Sequence, residues 1–77
     1  MNIEVFAVLK NYFEKKFQIE DDVTTIGELR RKLVNINPAA ISALAISRFS
    51  VNEIFVEDGF EIRPGSMVCV LPPSSGG

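Results

Sequence analysis

The chain has 77 residues, a formal net charge of −2 and 47% hydrophobic residues, which gives one domain with a modest core and excludes a disordered polymer. It has no His and one Cys, so Ser-His-Asp and Cys-His nucleophiles, Cys/His zinc sites and an intrachain disulfide are excluded. The slightly acidic balance of 8 Lys+Arg against 10 Asp+Glu argues against a nucleic-acid face.

Residues 2 to 9 read as a strand, with Ile3, Val5, Ala7 and Leu9 alternating against Asn2, Glu4, Phe6 and Val8. The odd set is the expected core face, because Asn2 and Glu4 belong to the even set. A turn over 10–14 leads to a second strand over 15–20, with Phe17 and Ile19 pointing inward in an antiparallel hairpin. Thr25 and Glu28 then form a capping box. Ile26, Leu29, Leu33 and Ile36 follow at helical spacing and predict one apolar face. Gly27 weakens that helix by roughly 1 kcal/mol relative to Ala, and Asn37-Pro38 ends it. Residues 38–45 predict a short second helix starting at Pro38. Strands are expected over 46–51, with Ile46, Phe49 and Val51, and over Ile54–Val56. Asp58-Gly59 and Arg63-Pro64-Gly65-Ser66 are turn signals. Met67-Val68-Cys69-Val70-Leu71 is unbroken apolar sequence, as in a central strand buried on both faces. Pro72-Pro73 stops it, since proline cannot donate to the ladder. The chain ends in Ser74-Ser75-Gly76-Gly77.

Two hairpins separated by a helix predict an α+β fold, a mixed sheet packed on one face by that helix. This is the β-grasp, or ubiquitin-like, arrangement, with the first and last strands parallel and adjacent at the sheet centre. The expected organisation is a domain over 1–71 and a C-terminal tail over 72–77. No run reaches the ~18 apolar residues of a membrane span, and no basic amphipathic helix suits a membrane surface. Met1-Asn2-Ile3-Glu4 lacks a signal-peptide start. Membrane and nucleic-acid partners are therefore not expected, and a cytoplasmic location is. No metal-ligand pattern is present, and no GxxxxGK[ST] phosphate loop. A chain so poor in catalytic groups is expected to work by presenting something to a partner.

The chain resembles the MoaD-type small subunits of molybdopterin synthase, within the MoaD/ThiS ubiquitin-like sulfur carriers. The resemblance spans essentially the whole chain. It is most specific in Val51-Asn52, in Arg63-Pro64-Gly65, and in Pro72-Pro73-Ser74-Ser75-Gly76-Gly77 after an apolar strand. Ser66 stands where that family usually carries an acidic residue, a departure that touches the turn and leaves the tail intact. The resemblance implies that a MoeB-like partner adenylates the Gly77 carboxylate with ATP and that a sulfur donor converts it to a thiocarboxylate. The tail then enters a MoaE-type large subunit, in an expected heterotetramer, and donates sulfur to cyclic pyranopterin monophosphate. The carrier itself binds no cofactor in this scheme. A ThiS-type donor for thiazole synthesis, a lysine-linked protein modifier and a plain interaction domain are the rival readings. Pro72-Pro73 and the residues inserted at 38–45 favour the molybdopterin side.

The tail suits that chemistry. Six extended residues span up to about 20 Å, the two prolines stiffen the base of the arm, and Gly76 and Gly77 fit a narrow channel. Pro72, Pro73, Ser74 and Ser75 are the expected partner contacts along it. A second expectation is an apolar outer sheet face, because one helix covers only one face of a small sheet. Phe6 and Val8, with Val68 and Val70 as the favoured parity of the last strand, are the candidates to dock partners. The alternative is that loops or Phe60 cover this face. Cys69 is expected to be buried and inert. Glu20-Asp21-Asp22 reads as a solvated loop and Arg30-Arg31-Lys32 as a solvated helix face. Lys10, Lys15 and Lys16 are candidates to meet an acidic partner.

Overall fold

The protein is described by a computed structural model in residues 1–20 and 22–73. Five strands, β1 (Asn2–Val5), β2 (Lys16–Gln18), β3 (Arg48–Val51), β4 (Ile54–Val56) and β5 (Met67–Leu71), form one sheet in the order β2-β1-β5-β3-β4. β1 and β5 are parallel, with Ile3 opposite Val68 and Val5 opposite Val70. All other neighbours are antiparallel. Helices α1 (Ile26–Ile36) and α2 (Ile41–Ala45) belong to the covering layer, with a 3-10 turn at Pro38–Ala40 between them. This is the expected β-grasp.

α1 starts where its cap predicts. The Thr25 hydroxyl accepts the Glu28 N–H at 3.2 Å. The return arm of the box is displaced by one residue: the Glu28 carboxylate accepts the Thr24 N–H at 2.7 Å and the Thr24 hydroxyl at 2.9 Å. These bonds hold the Glu28 carboxyl below its ordinary range. The remaining first-turn donors are also used, Ile26 N–H on the Phe60 carbonyl and Gly27 N–H on the Asp58 carbonyl at 2.8 Å. A Cβ on Gly27 would meet that Asp58 oxygen at 3.4 Å. The glycine thus costs helix propensity and gains close approach between the helix start and the 57–60 turn.

Ile26, Leu29 and Leu33 are fully buried, each contributing about 1.5–3 kcal/mol of apolar burial. They meet Ile3, Val5, Phe49, Val68 and Val70 in one core. Ile36 was expected on the same face but is 51% exposed. It is the last helical residue, and Asn37 already turns the chain away, its side chain capping Ala39 N–H and reaching the Tyr12 carbonyl.

The first strand is shorter than its alternation suggests. Phe6 is still extended (φ −128°, ψ 158°), but Ala7 takes φ 55° and opens a 3-10 turn over Ala7–Asn11. Leu9 reaches the core from that turn, not from a strand, and Ala7 is exposed. β3 begins at Arg48, two residues later than expected, and Ile46 is exposed. β3 and β4 join through a two-residue loop, Asn52-Glu53, with φ of 50° and 72°, the signature of a primed hairpin turn. Asn52 also ties the loop to β5: its N–H donates to the Met67 carbonyl at 3.0 Å and its side-chain oxygen accepts the Met67 N–H at 3.3 Å.

Candidate functional site

The tail leaves from the middle of the sheet. β5 lies between β1 and β3, and its last residue, Leu71, is opposite Arg48. Phe6 N–H donates to the Val70 carbonyl at 3.2 Å, prolonging the β1–β5 ladder. At Pro72 the missing N–H ends the ladder. The root of the tail is therefore pinned by two strands. Pro72 is half-buried and Pro73 exposed. The remaining tail candidates, Ser74, Ser75, Gly76 and Gly77, lie outside the described residues.

The outer sheet face differs from expectation in its residues. Val68 and Val70 are 0% exposed, so neither can dock a partner. Both parities of β5 are apolar, and the register with Ile3, Val5, Phe49 and Val51 puts Val68 and Val70 on the helix side. Met67, Cys69 and Leu71 face outward instead, and Met67 is 40% exposed. The same registers place Asn2 and Glu4 outward on β1, Arg48 and Ser50 on β3, and Phe55 on β4. Phe6 keeps the β1 alternation and falls beside Leu71, partly buried. Val8 is 45% exposed, but in the 3-10 turn at the tail end of β5, not on a strand. Phe60 is itself exposed. Met67, Leu71 and Phe55 were missed because a doubly apolar strand carries no parity signal of its own. The outward Asn2 and Glu4, read through the parallel register, would have supplied it.

Cys69 is a free thiol of intermediate exposure, less buried than expected because it sits on this open face. Arg48 projects from the same face, its guanidinium carbon 4.0 Å above the Phe55 ring centroid. Arg30, expected in solvent, is instead a structural tie. It donates to the carbonyls of Leu44 and Ser47, pairs with Asp58 at 2.6 Å, and lies 4.7 Å from the Phe49 ring centroid. Lys32 pairs with Asp22 at 2.9 Å, and that hydrogen bond lowers the Asp22 carboxyl's affinity for protons. Of the trio only Arg31 is exposed. Lys10, Lys15 and Lys16 are exposed. Among the described residues no group of His, Cys, Asp and Glu is placed to hold a metal, and no helix is long and apolar enough to cross a membrane.

The described part of the arrangement is a five-stranded sheet whose central strand β5 leads into Pro72-Pro73. Solved structures share the fold. Two crystal structures from Haloferax volcanii match. That of SAMP1 is 20% identical over 99% of this chain and 97% of that one, with a TM-score of 0.79. That of small archaeal modifier protein 1 is 19% identical over 95% of each chain, with a TM-score of 0.81. A protein–protein complex of subunits 1 and 2 of molybdopterin-converting factor from Helicobacter pylori 26695 contains a chain 21% identical over 99% of this one and 96% of its own length, TM-score 0.71. At these identities the likeness establishes the β-grasp fold. No curated protein matches. The model of the ThiS family matches residues 3–77, all but the first two residues of the chain, and runs through the Gly-Gly end. The chain thus belongs to the ThiS family.

Proposed function

We propose that the chain is the small, sulfur-carrying subunit of a molybdopterin synthase and that its working group is the Gly77 carboxylate. A MoeB-like enzyme supplies the ATP site this chain lacks. The carboxylate attacks ATP to form an acyl-adenylate with release of pyrophosphate. A sulfur donor then displaces AMP and leaves a thiocarboxylate. The charged tail enters a MoaE-type subunit, and sulfur passes to cyclic pyranopterin monophosphate while the carboxylate is regenerated. Pro72 to Ser75 form the arm that lines the partner's channel, and the outer face around Phe6, Met67 and Leu71 seats the domain.

The observation that supports this reading is a family match running through Gly77 on a fold whose central strand β5 is followed in the sequence by Pro-Pro-Ser-Ser-Gly-Gly. Likeness to a chain in a complex of subunits 1 and 2 of molybdopterin-converting factor is compatible with the synthase role, and the ThiS family match is equally compatible with thiazole synthesis. The archaeal modifier proteins support a second reading, in which the activated Gly77 is transferred to lysines. One experiment tests both. The chain is incubated with a MoeB-type enzyme, ATP and a sulfur donor, and its intact mass is measured. Exchange of one oxygen for sulfur, lost on deletion of Gly77 with the circular dichroism spectrum unchanged, is the expected result. No mass change refutes the carrier reading. Lysine-linked conjugates in cell extract, abolished by the same deletion, favour the modifier.

A further inference from the structure

The outer face is uneven in charge. Its β2–β1 half is polar, with Glu4 opposite Lys16 and Asn2 bonded to Gln18. Its β5–β3–β4 half presents Met67, Cys69, Leu71, Arg48 and Phe55 around a buried Ser50, and Arg48 is the only charge among them. Arg48 is exposed and directly opposite Leu71, the last strand residue before the tail. Stacking on Phe55 holds its guanidinium in place and leaves the N–H edge available, since donors lie in the guanidinium plane. Arg30 and Lys32 each have a carboxylate partner. Among the described residues Arg48 has none, although Glu57 lines the same open cleft beside Phe55.

We propose that Arg48 is a specificity-determining contact that pairs with a carboxylate on the adenylating enzyme, set among apolar residues that cover Leu71 and Phe55. The inference rests on the carrier reading above. The partner group is a protein side chain and not the nucleotide, because the reacting carboxylate lies six residues beyond Leu71, up to about 20 Å along an extended arm. A cation already immobilised on an aromatic ring loses little side-chain entropy when it pairs. The bidentate geometry of Arg with a carboxylate fixes orientation at the tail root, where a small rotation of the domain displaces the tip most. This contact forms equally in the ground and transition states of adenylation, so it acts on KM and not on kcat.

The test is ATP-dependent pyrophosphate release by a MoeB-type enzyme from the same organism, measured against concentration of the full chain. Arg48→Ala is expected to raise KM about tenfold or more, equivalent to about 1.4 kcal/mol, with kcat and the melting temperature unchanged. Arg48→Gln keeps most of the stem over Phe55 and serves if the alanine variant is less stable; it is expected to match it. Arg48→Lys should recover only part, because an ammonium is a point charge. Added salt should raise KM for the wild type and not for Arg48→Ala. KM unchanged within twofold in both the Ala and Gln variants, or a loss confined to kcat, overturns the assignment of Arg48 alone. A wild-type chain that releases no pyrophosphate overturns the carrier reading and this inference with it.

Discussion

Replacing Arg30 with Ala removes more than a surface charge. The side chain is 22% exposed and its Asp58 partner 57% exposed, so the ion pair itself is worth at most about 0.5 kcal/mol. The larger loss is at the end of α2. One terminal nitrogen donates both to the Leu44 carbonyl, which also accepts the Ser47 N–H at 3.2 Å, and to the Ser47 carbonyl just past the helix. Hydrogen bonds from a charged donor are worth about 1.5–3 kcal/mol each. Taking the low end for two half-buried bonds gives roughly 3 kcal/mol, and the contact with Phe49 adds about 0.5 kcal/mol. A domain of this size has about 4–11 kcal/mol of stability in all. Arg30→Ala is therefore expected to lower the melting temperature by about 14–28 °C, with a parallel fall in the urea midpoint, measured by circular dichroism on the full chain. Asp58→Asn should cost only a few degrees. If Arg30→Ala costs less than about 4 °C, or if Asp58→Asn costs as much, the carbonyl tie is not what holds α2 to α1.

Neighbouring residues of β5 should respond oppositely to the same change. Val68→Asp buries an unpaired carboxylate and should leave the chain unfolded at neutral pH, while Met67→Asp should stay within about 1 kcal/mol of wild type in urea denaturation. The Glu28 carboxyl titrates lower in the folded chain than its ordinary 4.5, so its stabilisation is present above that value and is lost as pH falls through the folded one. The difference in melting temperature between wild type and Glu28→Gln should accordingly be full near neutral pH and shrink below pH 4.5. Glu53 holds φ 72° in the β3–β4 loop, a conformation glycine adopts without strain. Glu53→Gly should stabilise the chain by about 0.5–1 kcal/mol, read from the urea midpoint.

Local signals placed α1 well. Thr25, the Leu29 and Leu33 spacing, and Asn37-Pro38 each act within a few residues, and the helix runs from Ile26 to Ile36 between them. β4 and β5 also match their predicted bounds, because turn residues and Pro72 punctuate them. The tail to which the proposed chemistry is assigned, Ser74-Ser75-Gly76-Gly77, is read from the sequence without any fold and lies outside the described residues.

Tertiary packing decided what those signals leave degenerate. Alternation from Ile3 to Leu9 fits a long strand, yet the left-handed Ala7 ends it early, and Leu9 fills the core from a 3-10 turn. Arg30 reads as solvated because its carbonyl partners come from residues 14 and 17 positions away. In Met67–Leu71 every residue is apolar, so hydrophobicity cannot choose an inside. Strand pairing and the position of α1 make that choice. It buries Val68 and Val70, and it turns Met67, Cys69 and Leu71 outward beside Arg48.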